Sequence, residues 1–441
     1  MTDAFHGRTA LCCFLATLLV AIAIRSAAIG LLRNRLDEDP DSYAVLAEQI
    51  ARFGTFGFAA DRPTAYRPPL YPLTLSLMAV DGRVSRAAVG GLHIALGAFA
   101  AGGTWVLASR WIGSTRAATC AGILVAVDPL LINQSVLVMT ETLATALVVA
   151  VLLLADAWRR RPRVRSAIPL GAALALGVLC RPTFLAWVPC VFVWMAFGDS
   201  AASWRMRIRR VGPAAIGFLI VMAPWWIRNA ARFGEFIATT THGGYTLLLA
   251  NNDSFYDHLA ARDENSWDAS SLDPLVRRLE RDYGSNDAEL DRAHSRLAWT
   301  TMARRPAMAV WSAARREVEL WNPMPRAVEG RWSSVPIRAG IAAWYVLQFA
   351  MAIRGLFALR GRSQAWSAWG PAWALGLVLV SVHSLYWTNA RMRAPFEPVI
   401  ALAAALGGLG ACRPTTVRDT CSTTRRSAVR RSAERRGLAD G

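Results

Sequence analysis

Four carboxylates stand within five positions near the start of the chain, Asp37, Glu38, Asp39 and Asp41. Like charges this close raise the pKa of at least one of them, which suits a general base or a ligand for a cation or a sugar. The plain alternative is a solvated loop whose acids cap the following helix, and perturbed carboxylates mark sites only statistically. Further along come isolated charges in apolar surroundings: Arg67 in Tyr66-Arg67-Pro68-Pro69-Leu70-Tyr71-Pro72, Glu141 at the start of an apolar run, Arg181 in Leu179-Cys180-Arg181-Pro182-Thr183, and Arg391 and Arg393 in Arg-x-Arg-x-Pro-x-x-Pro. Guanidinium groups suit phosphate. A carboxylate at the mouth of a membrane span is costly and points to function, although helix-start charge explains it too. Arg181 also reads as an interface arginine that snorkels, and Arg391 and Arg393 as interface anchors.

These residues need a frame, and composition supplies it. The 441 residues are 54% hydrophobic and 18% charged, and mean hydropathy is +0.29. Apolar runs near the roughly 20 residues that cross a bilayer recur along the chain, so it is an all-α polytopic membrane protein. We place spans near 11–32, 87–108, 117–132, 138–157, 167–179, 184–197, 212–227, 340–357, 366–386 and 398–409. That is about 10, with a range of 9 to 12, because Cys180–Thr183 reads either as a turn or as a kink. The resulting division is 1–36, N-terminus and first span; 37–86, first external loop with the acids; 87–228, a transmembrane bundle; 229–338, a large external loop with amphipathic helix near 273–304; 339–411, the last spans; and 412–441, a basic disordered tail.

Net charge is +18 and every one of the 49 basic residues is arginine. In a soluble chain that would suggest nucleic acid. Here the arginines sit in short inter-span loops at 158–166, 205–210 and 354–362 and in the tail, which marks those segments as cytoplasmic. The acid-bearing loops then face outward, provided that Leu70–Val80, short and preceded by three prolines, lies in the interface rather than crossing. Asp41 or Ser42 is the expected N-cap of an amphipathic helix that carries Tyr43, Leu46, Ala47 and Ile50 on one face and ends at Gly54. The seven cysteines form no C-x-x-C pair, no zinc pattern occurs, and neither a P-loop nor G-x-G-x-x-G is present. Asp39-Pro40-Asp41 has metal-binding spacing and also the look of a turn, so a divalent metal stays open and no cofactor is certain.

The order of elements is similar to that of GT-C membrane glycosyltransferases. The acidic cluster with a tyrosine ahead of a helix, then Arg-Pro-Pro-Leu-Tyr-Pro, resembles their first external loop. Glu141, Leu-x-Arg-Pro-Thr, Pro224-Trp225-Trp226-Ile227-Arg228-Asn229 with Asn251-Asn252, and the late Arg-x-Arg element resemble later ones. The nearest branch is the bacterial relatives of protein O-mannosyltransferases and of the aminoarabinose transferase. The resemblance implies a GT-C helical bundle in the inner membrane and a polyprenyl-phosphate sugar as donor. It implies an envelope glycan, lipid or protein as acceptor, membrane lipids as surroundings and no nucleic acid. On that reading Asp39 or Asp41 is the base of an inverting transfer. Glu38, Tyr43, Tyr66, Arg67, Tyr71, Glu141, Arg181, Arg391 and Arg393 bind substrate. The alternative from another class is a transporter or flippase of lipid-linked sugars.

This orientation makes a direct prediction. In intact cells a membrane-impermeant maleimide labels Val84→Cys, in the turn near 82–86, whereas Arg160→Cys is labelled only after permeabilisation; the reverse pattern turns the chain over.

Overall fold

The computed structural model describes residues 2–198, 203–261, 267–284, 286–324, 334–360 and 363–409. The tail expected at 412–441 lies outside the described residues. The described chain is helical apart from two small antiparallel hairpins, β1 (Gly57–Ala59) with β2 (Arg62–Pro63) and β3 (Ala79–Val80) with β4 (Arg83–Val84). The long helices are α1 (Thr2–Leu31), α4 (Arg86–Trp111), α7 (Glu141–Arg160), α10 (Trp204–Phe233), α16 (Val335–Ala358) and α17 (Ser363–His383). Among the described residues six stretches are long and apolar enough to cross a bilayer: 7–31, 86–111, 141–160, 204–233, 335–358 and 390–409. α5 (Thr115–Ala126) and α6 (Pro129–Ser135), bent by 47° at Asp128, make a seventh if taken as one span. α8 (Val164–Cys180), 182–197 and 367–383 are apolar but shorter. Each of the ten expected spans therefore has a helix, while length and composition alone license six or seven.

α3 (Leu70–Ser76) is only 7 residues. At 1.5 Å per residue it spans about 10 Å, a third of the hydrocarbon core, so the 70–84 segment cannot cross.

The bundle closes through small residues. α8 packs along α10, and α16 along α18 (Glu397–Leu409). A Cβ on Gly171 would strike the Ala214 carbonyl, and one on Gly217 the Ile168 carbonyl; Gly355 and Gly407 stand in the same relation to Ala403 and Met351. Between helices in lipid such close backbone approach supplies the van der Waals contact that hydrophobicity cannot.

Beneath the loops lies a buried polar network. Arg25 on α1 donates to the Ala126 and Val125 carbonyls at the end of α5, at 3.1 and 3.3 Å. The Tyr345 hydroxyl donates to Asp128 at 3.1 Å and accepts the Leu130 N–H at 3.0 Å. Arg393 pairs with Glu397 at 2.8 Å under the rings of Tyr345 and Phe349. Charges inside a bundle persist only when paired in this way.

Both α7 and α10 run from an arginine-rich end to a loop end, α7 in the reverse direction. Arg110, Arg159 and Arg160 close on buried Asp156 at the far end of α7, while Glu141 starts it on the loop side. A covering layer over the loop end is built from α11 (Gly243–Ala250), α12 (Asp253–Ala260), α13 (Asp273–Tyr283), α14 (Asp287–Arg304) and α15 (Pro306–Leu320). The amphipathic stretch expected over 273–304 is thus two helices, α13 and α14.

The glycine contacts yield a stability prediction. Gly171→Ala should cost about 1–3 kcal/mol through overpacking, read as a lower thermal midpoint in detergent. Gly30→Ala, where an added Cβ meets nothing within 4 Å, should leave the midpoint unchanged.

Candidate active site

The local chain around Asp39 explains how the first loop is set. α2 (Tyr43–Phe53) has Ser42 at its N-cap position, but neither Ser42 nor Asp41 caps it. The Asp39 carboxylate does, accepting the backbone N–H groups of Tyr43 at 2.7 Å, Ala44 at 2.8 Å and Val45 at 3.3 Å. To bring Asp39 over the helix start the chain doubles back, and Ser42 takes a left-handed conformation, φ 60°. That conformation is uncommon outside glycine and strained positions of this kind gather at functional sites. Burial pushes the Asp39 carboxyl above its usual pKa, and the three N–H groups pull it back. Asp39 is thereby occupied by the helix, which leaves Asp41 as the carboxylate that projects toward the other loops.

Asp41 is where distant elements meet. Arg67 donates to its Oδ1 at 3.0 Å and Arg391 approaches Oδ2 at 3.5 Å. Arg391 also lies 3.7 Å from Glu141, as does Arg181. Three guanidinium groups and two carboxylates from four separate stretches thus form one cluster with a net charge of +1. Glu141 is 1% exposed, Arg181 12%, Arg67 16%, Asp41 19% and Arg391 30%, so screening by water is reduced and the three guanidinium groups favour an anionic ligand, although the Asp39 carboxylate stands close to Asp41. The arginines are oriented by packing as well. Arg67 lies over the rings of Tyr43 and Tyr66, at 5.8 and 5.2 Å. Arg181 reaches the Met392 sulfur, and Arg391 that of Met139. Arg67 Nε, Arg181 Nη1, Arg391 Nε and Glu141 Oε2 are buried without a hydrogen-bond partner. Buried polar atoms in proteins are mostly paired; unpaired ones occur elsewhere in this bundle too, but these four belong to a single charged cluster.

Sequence explains some of this placement. Pro182 disfavours helix at the residue before it, so α8 stops at Cys180 and Arg181 is extended, φ −144° and ψ 117°. Glu141 begins α7, where the helix dipole favours an acid.

Other expected site residues go elsewhere. Glu38 is exposed and pairs with Arg35 at 3.3 Å, and its carbonyl accepts the Val138 N–H at 3.3 Å, which joins the first loop to the approach of α7. Tyr71 is fully buried, with its hydroxyl 2.9 Å from His93 Nε2; it stacks edge-on beneath Tyr43 and faces the core. Arg393 does not stand beside Arg391. It is 1% exposed, paired with Glu397, and donates to the carbonyls of Leu320 at 3.0 Å and Asn322 at 2.8 Å. The reason is the 3₁₀ turn Ala390–Phe396: at three residues per turn, positions two apart point about 240° from each other. The pair of outward charges expected from Arg-x-Arg is one site arginine and one structural arginine.

The loops above are tied down by residues that sequence reading assigned only to a motif. Arg228 donates to the Thr64 and Phe56 carbonyls at 2.8 and 3.0 Å, and Trp225 and Trp226 donate to Thr239 and Ala238 at 2.7 and 2.9 Å. Asn251 donates to Leu385 at 2.8 Å and the Trp387 N–H reaches Thr246 at 3.1 Å. Arg35 reaches Asn133 at 2.7 Å, a contact with no sequence signal beyond the polar run in which Asn133 sits. Among the described residues no group of three or more His, Cys, Asp or Glu is placed to hold a metal ion. The donor set does not suit one either: Asp39 caps a helix, and arginines surround Asp41.

Comparison with known proteins follows the same lines. The family described as dolichyl-phosphate-mannose-protein mannosyltransferase matches residues 66–227, a stretch that holds Arg67, Glu141 and Arg181. No curated protein sequence matches the chain significantly. Among solved structures, the apo oligosaccharyltransferase of Archaeoglobus fulgidus is 15% identical with a TM-score of 0.47, over 89% of this chain and 50% of that one. The chain therefore spans half that protein's length. ArnT from Cupriavidus metallidurans bound to undecaprenyl phosphate is 14% identical with a TM-score of 0.42, over 89% and 77%. Its apo state is 16% identical with a TM-score of 0.39, over 92% and 77%. The family match over residues 66–227 agrees with the resemblance to GT-C membrane glycosyltransferases carried by the motifs in that stretch.

The cap assignment is testable through stability. Asp39→Ala, which strips three N–H groups of their acceptor, should cost about 0.5–2 kcal/mol, whereas Asp39→Asn, whose single amide oxygen can still accept from Ala44 and Val45 but not from Tyr43, should recover part of it in a thermal melt.

Proposed function

We propose that this chain moves a sugar from a polyprenyl-phosphate donor to an envelope acceptor at the outer face of the cytoplasmic membrane, with inversion at the anomeric carbon. The observation that carries the proposal is a carboxylate, Asp41, held among guanidinium groups at the loop end of the bundle. The matched family's name, with its dolichyl-phosphate mannose, supports a lipid-phosphate donor.

The chemistry follows from the charges. Arg67, Arg181 and Arg391 receive the donor phosphate, whose oxygens replace Asp41 as partners and satisfy the unpaired N–H groups. Asp41, released from Arg67 and Arg391, accepts the proton of the acceptor hydroxyl as general base. The hydroxyl oxygen attacks the anomeric carbon on the face opposite the phosphate. The bond from that carbon to the phosphate oxygen breaks, and the phosphate leaves with the electron pair. The guanidinium groups stabilise the charge that grows on it. Glu141 positions Arg181 and Arg391, and Tyr43 and Tyr66 position Arg67. Asp39 sets the backbone from which Asp41 projects. No metal takes part in this scheme.

A transporter of lipid-linked sugars would need polar groups along a passage through the bilayer. The buried charges deeper in the bundle, Arg25, Asp128, Arg393 and Glu397, are each held by a hydrogen bond or ion pair to a neighbouring helix, whereas the three-arginine cluster lies at the loop end.

In proteoliposomes supplied with polyprenyl-phosphate sugars and envelope acceptors, Asp41→Asn should reduce transfer by about 10²–10⁴-fold. Arg67→Gln and Arg391→Gln should raise the donor KM, and Asp39→Asn should retain turnover. A strain lacking the protein should accumulate its donor lipid on the outer leaflet. Near-normal transfer by Asp41→Asn, or donor accumulation on the inner leaflet only, would overturn the reading.

A further inference from the structure

Beside Arg67 an aromatic row leads away from the charged cluster into the covering layer. Tyr66 packs on His242 with ring centroids 4.3 Å apart; His242 is 5.6 Å from Tyr245, and Tyr245 is 5.6 Å from His294. Tyr66, His242 and Tyr245 are partly exposed and His294 is buried. The row joins the first loop to α11 and α14, and the Thr241 N–H donates to Ala65 at 3.0 Å to hold the two in register.

The row is rich in unpaired polarity. Thr241 Oγ1, His242 Nδ1 and His294 Nε2 are all buried without a hydrogen-bond partner. Thr241 is 6% exposed and His294 4%. Unpaired buried groups are costly, and three of them stand beside aromatic rings that are still partly exposed, where a ligand hydroxyl could reach them. Both rings are neutral: burial lowers the His242 pKa to about 3, with Arg67 and His294 adding to the effect, and lowers that of His294. A neutral imidazole offers one donor and one acceptor, as a hydroxyl does. The charged groups that act on the row are Arg67, with Asp41 and Glu280 at Tyr66 and Asp273 and Glu280 at Tyr245. Arg67 is held by Asp41, so the row presents no unpaired cation.

Aromatic faces with neutral donor–acceptor groups suit a ligand with an apolar face, several hydroxyls and no charge. We infer that Tyr66, Thr241, His242, Tyr245 and His294 form a subsite for a neutral saccharide ring next to the transfer centre. The inference rests on the proposed transfer reaction for its role, and its ligand is either the acceptor's terminal sugar or the donor's own.

Saturation-transfer NMR on the full chain in nanodiscs tests it, with a panel of neutral methyl pyranosides as probes. Saturation should pass to the pyranoside ring protons. His242→Ala and Tyr245→Ala should each weaken binding at least tenfold, and Arg116→Gln, an exposed change at the far end of the bundle, should not alter it. Binding of undecaprenyl phosphate and the thermal midpoint, measured on the same samples, should be retained in both variants. That separates loss of the subsite from misfolding and from failure of the donor reading, which Arg391→Gln probes independently. Added polyprenyl-phosphate mannose that displaces the pyranoside assigns the subsite to the donor sugar; persistence of the signal assigns it to the acceptor. Absence of transfer to every pyranoside, transfer unchanged in both variants, or transfer only to a Ser/Thr peptide used as a further probe overturns the inference.

Discussion

The ion pairing of Asp41 with Arg67 and Arg391 is the interaction on which the loop end depends. It joins residues 26 and 350 positions apart, and through Glu141 it reaches Arg181 as well. Partly buried charges are costly to desolvate and are retained where geometry compensates them or function uses them. Here compensation is incomplete, with three cations against two anions and four buried atoms unpaired. A fully satisfied cluster would be a strut. An under-satisfied one fits the proposed role, in which a phosphate takes the arginines and Asp41 is freed.

Two further sets of contacts keep that cluster in place. Below it, Asp128, Tyr345, Arg393 and Glu397 connect the bend between α5 and α6 to α16 and the last loop, so the turn that presents Arg391 rests on a rigid floor. Above it, Arg228 grips the first-loop backbone at Phe56 and Thr64, and Asn251 and Trp387 bind the covering layer to the last loop. The covering layer is also what brings His242 and Tyr245 beside Tyr66. Site and cover are thus linked by hydrogen bonds, most of them accepted by backbone carbonyls, rather than by ionic attraction across water, which salt would screen.

Much of the architecture could be read from residues alone because it rests on local rules. Apolar runs long enough for a bilayer, prolines that stop helices, and arginine-rich turns at one end all act within one segment. The three-proline stretch before Leu70 and the shortness of its helix are equally local. The identity of the cap was not: Ser42 and Asp41 are the nearest candidates, yet Asp39 wins because a left-handed Ser42 lets its carboxylate reach three N–H groups at once.

The sequence by itself determined the class: a helical membrane protein with acids and arginines gathered in its inter-span loops. Hydropathy and helix breaking depend on neighbours in the chain, and a sequence displays those directly. The tertiary structure alone decided which of those charges meet. It brought Asp41, Arg67, Glu141, Arg181 and Arg391 together, turned Arg393 into the floor, Tyr71 into the core and Glu38 toward Arg35, and set His242 against Tyr66. Those outcomes depend on 3₁₀ phase and on loops folded across one another. They are fixed by contacts between residues tens to hundreds of positions apart, whose distances no local pattern encodes.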